Sequence, residues 1–238
     1  MKKILGNLRK AVIEYNLINE NDRIAVGLSG GKDSMTLLYA LKLFQKFSPV
    51  KYDLEAITIS MGFENADFTP LKEFCKQLEV PYTIEETHIG KIVFDLRKEK
   101  NPCSLCSNMR RGALYNLMDE KNLNLLALGH NQEDTIETLF MNILYNGRIK
   151  TFLPKSKLVD RNITIIRPLI YVSEHQILAA TERNPIPVIK SPCPVDKKTT
   201  REDTKNLMNH IYQNVPQAKK RILTSIKNKD QFGLWFDL

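Results

Sequence analysis

The sequence predicts an α/β protein: a doubly wound, mostly parallel sheet followed by a helical, basic C-terminal extension. Three observations carry this expectation. Short apolar runs alternate with amphipathic helical stretches from Asn21 to about Ile166, as they do where helices cover both faces of a parallel sheet. Polar, glycine-bearing loops follow two of those runs, at residues 29–33 and 129–134. From Ser173 onward the pattern is helical, with breaks at Pro185, Pro187, Pro192, Pro194 and Pro216, and beyond residue 184 it is a basic extension.

The first element is a helix within residues 1–19, where Ile4, Leu5, Leu8, Val12 and Ile13 recur at helical spacing. The positive start has no apolar run behind it, so an amphipathic helix is expected and not an export signal. After a turn at Asn21-Asp22, residues 23–28 read as a short buried strand. The loop 29–33 follows, and then a helix from Ser34 through Leu37, Leu38, Ala40, Leu41 and Phe44. Residues 54–60 are the second strand, 69–78 a helix and 81–85 the third strand. A helix carrying Met109, Leu114 and Leu117 precedes a fully apolar strand at 125–129, and an apolar-striped helix spans 132–144. A basic loop, 148–157, leads to a last strand at 163–166 that Pro168 stops. The expected organisation is therefore an N-terminal helix (1–19), an α/β domain (20–184) and the basic extension (185–238).

At 238 residues, the chain has room for one sizeable α/β domain and an extension. Apolar residues at 42% and charged residues at 26% exclude a disordered chain. No stretch approaches the ~18 apolar residues that cross a bilayer, so a soluble, cytoplasmic protein is expected. Between Lys190 and Lys229 ten bases face three acids, which accounts for most of the net charge of +8. Such an arm suits a polyphosphate partner such as RNA; a solvated helical face is the plainer alternative. Cys75, Cys103, Cys106 and Cys193 are too few and too unevenly spaced for a disulfide framework. Cys75 sits on an amphipathic helix and is expected in the core; the others read as ligands or reactive thiols.

The first chemical constellation is Ser29-Gly30-Gly31-Lys32-Asp33-Ser34, between a strand end and a helix start. Glycines let backbone N–H groups turn toward a phosphate, the helix N-terminus favours an anion, and Lys32 and the serine hydroxyls add donors. The Walker pattern does not fit, because it needs four residues between its first glycine and the Gly-Lys pair and then Ser or Thr, where this chain has Asp33. The second constellation, Gly129-His130-Asn131-Gln132-Glu133-Asp134, also lies at a strand end, so both can face one crevice. The third is Pro102-Cys103-Ser104-Leu105-Cys106-Ser107-Asn108-Met109-Arg110-Arg111-Gly112, with Cys193 far downstream in Ser191-Pro192-Cys193-Pro194. A Cys-x-x-Cys pair serves redox, zinc and iron–sulfur chemistry alike. Three thiolates are one short of a closed zinc site; on a [4Fe-4S] cluster they leave one iron open, and a bare pair favours a persulfide route.

Together these constellations resemble the tRNA-cytidine 2-sulfurtransferase family of PP-loop ATP pyrophosphatases, from about Asn21 to Cys193. The family splits ATP between its α and β phosphates and forms an adenylated intermediate. The resemblance implies that Ser29, Gly30, Gly31, Lys32, Asp33 and Ser34 bind ATP together with Ile59, Gly129 and Asp134, with Asp134 near phosphate or Mg2+. It further implies that Lys32 and Asp33 act in catalysis and that Cys103, Cys106 and Cys193 hold a [4Fe-4S] cluster. The target is a cytidine in the anticodon loop of a tRNA, with Arg110, Arg111, Lys197, Lys198 and Arg201 as RNA contacts. A sulfur donor such as a cysteine desulfurase or free sulfide is implied, and a homodimer is suggested by the family and by the apolar face of the first helix, a face that could equally pack on its own domain.

Two departures from the family pattern stand out. A second Cys-x-x-Cys is expected near the C-terminus, but Cys193 stands alone before Pro194-Val195-Asp196; and Ser60-Met61 replaces an acid at the end of the second strand. Rival readings keep the adenylation but change the rest. In lysidine-type tRNA ligation an amine attacks and the cysteines go unused; in others the thiolated target is another RNA base or a small molecule. A zinc-stabilised RNA-binding protein or a nucleotide sensor without turnover is the alternative outside the enzymes.

Overall fold

A computed structural model describes residues 1–98, 102–195, 200–228 and 230. Lys197 and Lys198, expected to contact RNA, lie outside the described residues. The strands are β1 (Asp22–Gly27), β2 (Tyr52–Ser60), β3 (Tyr82–Glu86), β4 (Leu125–Ala127), β5 (Lys155–Lys157) and β6 (Thr164–Ile166). They form a six-stranded sheet in the order β3-β2-β1-β4-β6-β5. Every pair is parallel except β5 against β6. The central strand, β1, sets Ile24 between Leu54 and Leu125, and Val26 between Ala56 and Ala127. Ile24, Ala25 and Val26 are fully buried, as the continuous apolar run of a strand covered on both faces requires.

Helices α1 (Lys2–Glu14), α2 (Lys32–Phe44), α3 (Thr69–Gln77) and α6 (Glu174–Arg183) pack together on one side, α1 and α6 against α2. Tyr39 of α2 meets Phe74 of α3 with ring centroids 6.1 Å apart. Squeezed between sheet and helices, α2 buries Met35, Leu37, Leu38, Ala40, Leu41 and Phe44, nearly its whole circumference. On the other side α4 (Pro102–Glu120) covers the sheet. Its Leu114, Leu117 and Met118 join Ala25, Ile57, Leu126 and Ile165 in one core cluster.

The chain runs β1, β2, β3 toward one edge and then returns to place β4 on the free side of β1. That reversal opens a crevice at the carboxyl ends of β1 and β4, where open α/β sheets take their ligands.

The described chain divides into two compact units: Met1–Asn131 with Leu153–Asp196, and Gln132–Phe152 with Lys197–Leu238. The first contains the sheet and the helices named so far. The second gathers α5 (Gln132–Asn146), α7 (Thr200–Asn214) and α8 (Ala218–Lys227). This division differs from the one drawn on the sequence in three respects. Residues 185–195, Cys193 among them, group with the sheet and not with the basic extension. The first helix is not separate, because Ile4, Leu8, Ala11 and Val12 bury its apolar face against α2 and α6. The helix after β4 groups with the C-terminal helices, because α5 packs on α7 and α8.

Local differences are equally instructive. β5 lies inside the loop read as basic and irregular; its sequence Lys-Ser-Lys has no strand signature, and β6 recruits it by antiparallel pairing. β4 ends at Ala127, two residues early, although the Leu128 N–H still donates to the Ile166 carbonyl at 3.0 Å. Residues Lys91–Leu96 form a π-helical turn, with the Arg97 N–H donating to the Ile92 carbonyl at 2.9 Å. α4 begins at Pro102, so the cysteine pair rides on its first two turns and not on a preceding loop.

Candidate active site

The phosphate loop closes on itself through short-range bonds. The Ser34 hydroxyl donates to the Gly31 carbonyl at 3.1 Å and accepts from the Ser29 N–H at 3.1 Å. The Ser29 and Ser34 hydroxyls lie 3.0 Å apart, and the Gly31 N–H donates to the Ser29 hydroxyl at 3.3 Å. Both serines therefore brace the loop from inside. Gly30 sits at φ +80°, a left-handed conformation that favours glycine. Gly31 caps α2 in extended conformation with no side chain to bond the first-turn N–H groups, which leaves that helix end suited to an anion.

Lys32 leads α2 with its Nζ 2.7 Å from Asp33 and 3.0 Å from Glu174 at the start of α6. Burial pulls its pKa down, but the two carboxylates outweigh burial and hold the ammonium above its ordinary value. The other oxygen of Asp33 accepts from the Asn131 amide at 2.9 Å. Gly129 explains how the loop after β4 comes so close to the first turn of α2: a Cβ there would stand 2.9 Å from the Asp33 carbonyl carbon and from the Ser34 nitrogen. His130, one residue on, accepts at Nδ1 from the Arg167 guanidinium at 3.2 Å.

Facing the loop is a wall of thiols. Cys103 is exposed, while Cys106 and Cys193 are half-buried. Cys106 and Arg110, one helical turn apart on α4, line a cavity of about 290 Å³ together with Ser29, Gly31, Ile59, Met61, Ile189 and Cys193. Burial pushes the Cys106 thiol above its ordinary range; Arg110 pulls it partly back, and neighbouring Cys193 and Cys103 push it further up. Cys106 is thus close enough to each of the other two thiols to sense it.

Among the described residues no group of three His, Cys, Asp or Glu side chains converges as one metal ion demands. A four-iron cluster spreads its ligands over separate irons and does not ask for that convergence. Three thiols beside a cavity fit such a cluster better than a closed zinc site, which takes four ligands.

At the end of β2, where the family pattern has an acid, Met61 faces the cavity. Ser60 is turned away, its hydroxyl accepting from the Gly62 N–H at 3.4 Å. Arg111 is exposed and bonds along its own helix, to the Ser107 carbonyl at 3.3 Å and to Asn108. In the second unit Asp134 and Arg201, expected at phosphate and RNA respectively, form an ion pair with each other at 3.1 Å. Beside them Lys219 pairs with Glu133. Cys75 is core, 1% exposed, and burial raises its thiol to about 11.

Sequence reasoning overlooked Asn131, Glu174 and Ile189. Asn131 stands inside a motif already singled out, so its neighbours pointed to it. Glu174 follows Ser173, whose capping box with Gln176 marks a helix start, but nothing local says that this start meets Lys32. Ile189 is an ordinary apolar residue in a proline-rich stretch, and only the fold brings it to the loop.

A PP-loop domain model matches residues 2–211. The tRNA-cytidine(32) 2-sulfurtransferase of Citrifermentans bemidjiense is 36% identical over 230 residues, covering 95% of this chain and 90% of the relative. That of Geotalea uraniireducens is 38% identical over 230 residues, covering 95% and 91%. Among solved structures, the U34-tRNA thiolase NcsA from Methanococcus maripaludis with its [4Fe-4S] cluster superposes with a TM-score of 0.80 at 28% identity. That match spans 95% of this chain and 77% of the thiolase. The NH3-dependent NAD synthetase of Campylobacter jejuni, with a TM-score of 0.52 at 16% identity, shares the fold alone. With a family model over most of its length and relatives above 30% identity along nearly all of it, the chain belongs to the PP-loop family and, within it, to the tRNA-cytidine 2-sulfurtransferases.

Proposed function

We propose that this chain thiolates tRNA: it uses ATP to adenylate the C2 oxygen of a cytidine in the anticodon loop, and exchanges that oxygen for sulfur. The observation that carries the reading is the shared cavity, in which Ser29 and Gly31 of the phosphate loop face Cys106, Cys193 and Arg110. A nucleotide loop alone fits any adenylating enzyme. A nucleotide loop that opens onto thiols fits adenylation followed by sulfur transfer, and leaves lysidine-type ligation without a use for the cysteines. The relatives named for cytidine 32 and the thiolase neighbour with its cluster support the same direction.

In the proposed reaction the loop N–H groups and the start of α2 receive the leaving pyrophosphate end of ATP. Lys32 exchanges a carboxylate for phosphate and stabilises the charge that builds there, as positioned donors do in phosphoryl transfer. The C2 oxygen attacks the α-phosphorus, the bond to the β-phosphate oxygen breaks, and pyrophosphate departs. Asp33, the loop's one carboxylate, is the residue proposed to hold the Mg2+ that accompanies ATP. Cys103, Cys106 and Cys193 would hold a [4Fe-4S] cluster, which would supply sulfide-level sulfur to the adenylated base. Sulfur bonds to C2, the C2–O bond breaks, and AMP leaves with the former carbonyl oxygen. Arg110, at the cavity wall, meets the RNA.

The test is thiolation of an unmodified tRNA under oxygen-free conditions with ATP and sulfide, read by nucleoside mass spectrometry beside pyrophosphate release. Cys103→Ser is expected to abolish thiolation and to leave ATP binding intact; loss of both would make the cysteines structural and overturn the reading. Because the thiolase neighbour acts on U34, the same digest scores that nucleotide, and sulfur on U34 in place of C32 would reassign the base while keeping the chemistry.

A further inference from the structure

Between α6 and Cys193 the chain runs as a strap over the phosphate loop. Pro185, Pro187 and Pro192 fix φ at three of its positions, so a displacement at one point is carried along and not absorbed. At its middle the Ile189 N–H donates to the Gly30 carbonyl at 3.0 Å. The Ile189 side chain fills the space a side chain on Gly30 would occupy: a Cβ there would stand 2.3 Å from Cγ1 and 2.6 Å from Cδ1. Four residues on, Cys193 reaches the cavity that Ser29 and Gly31 also line, its N–H donating to the Ser191 hydroxyl at 3.2 Å.

The Gly30 carbonyl and the Gly31 N–H are the two ends of one peptide group, which is a rigid plane. A phosphate that draws on the Gly31 N–H therefore fixes the orientation of the carbonyl that holds Ile189. We propose that Ile189 is a positioning residue through which nucleotide on the phosphate loop controls the reactivity of the Cys193 thiol. The inference rests on the nucleotide site proposed above and is independent of the RNA substrate. Coupling of this kind also predicts that a change at Cys193 alters nucleotide affinity.

The experiment uses the full chain, reduced and free of iron, with iodoacetamide as probe, peptide mass spectrometry to separate the four thiols, and a non-hydrolysable ATP analogue whose binding is followed by calorimetry. Saturating analogue is expected to slow alkylation of Cys193 by about fivefold or more, the lower end of ordinary coupling between sites. In Ile189→Ala the analogue still binds but the protection shrinks below about twofold, and Ile189→Val restores it. Equal protection in Ile189→Ala would mean that the nucleotide merely covers the thiol, and would overturn the proposal. Bound analogue without protection in the wild type overturns it as well, whereas no binding at all overturns the nucleotide site on which it rests. A second measurement needs no variant: protein alkylated at Cys193 alone is expected to bind the analogue more weakly, and unchanged affinity would sink the coupling.

Discussion

Ser29 and Ser34 close the phosphate loop with partners no more than five residues away, while the wall across the cavity takes Cys106 and Arg110 from α4 and Cys193 from a strap far along the chain. The loop folds whenever β1 and α2 fold. The wall exists only once the whole sheet is assembled and α6 has delivered the strap. A site that holds a nucleotide can thus be built locally, whereas a site that must bring sulfur chemistry to that nucleotide is built by tertiary structure, and the two should respond differently to substitution.

The largest effect is expected at Gly129, where the loop after β4 meets the first turn of α2. A methyl group there runs into the Asp33–Ser34 backbone at 2.9 Å, and no side chain can swing aside, so Gly129→Ala should cost ~1–3 kcal/mol of overpacking and most of the nucleotide affinity. Unchanged melting and binding would break the claim that this contact positions the loop. Next come the paired glycines. Gly30→Ala carries the left-handed penalty of ~1–2 kcal/mol and displaces Ile189. Gly31→Ala, whose Cβ would meet nothing closer than Ser29 Oγ at 3.5 Å, should leave thermal stability unchanged. Equal melting temperatures for the two variants would contradict the geometry.

A smaller effect is expected at the Lys32–Glu174 pair. Glu174→Gln should cost less than ~1 kcal/mol, as partly exposed pairs do, and should tighten nucleotide binding by releasing Lys32. Because the folded pKa of Lys32 lies above its ordinary value, the pair's contribution is fully present at neutral pH. It is lost only as pH climbs through the lysine range into that raised value. Urea titrations of both proteins at neutral and strongly alkaline pH check this: the difference must shrink at the alkaline end, and a constant difference would remove Lys32 as its source. The smallest effect belongs to Cys75, the thiol that joins neither region. With its pKa raised to about 11, it should resist iodoacetamide at pH 8 in the native protein and react once urea unfolds the chain. Rapid native labelling would move it out of the core.

The same contrast explains what the sequence could disclose. Strand, loop and helix at residues 22–44 were legible because hydrophobic period, glycines and helix start are all local signals. The Cys103 and Cys106 pair was legible as a motif, yet its place on the first turns of α4 was not, since Pro102 and the residues around it suit a loop equally well. β5 was illegible because Lys155, Ser156 and Lys157 are extended only by virtue of the β6 edge beside them. Glu174, the second carboxylate on Lys32, was illegible for the same reason: its contact is set by how α6 lies against α2. The grouping of α5 with α7 and α8 escaped notice because an apolar stripe states that a helix is covered and not by what.

The position of the strap in the chain has a consequence for how the protein is made. Cys103 and Cys106 leave the ribosome long before Cys193, and the strap cannot seat on Gly30 until β4 and β6 have joined the sheet and α6 has folded against α2. A nascent chain therefore offers two thiols and an open loop. The proposed three-thiol ligation would become possible only after nearly the entire first unit is complete, so on that proposal iron–sulfur loading would fall to the finished protein and not to its synthesis.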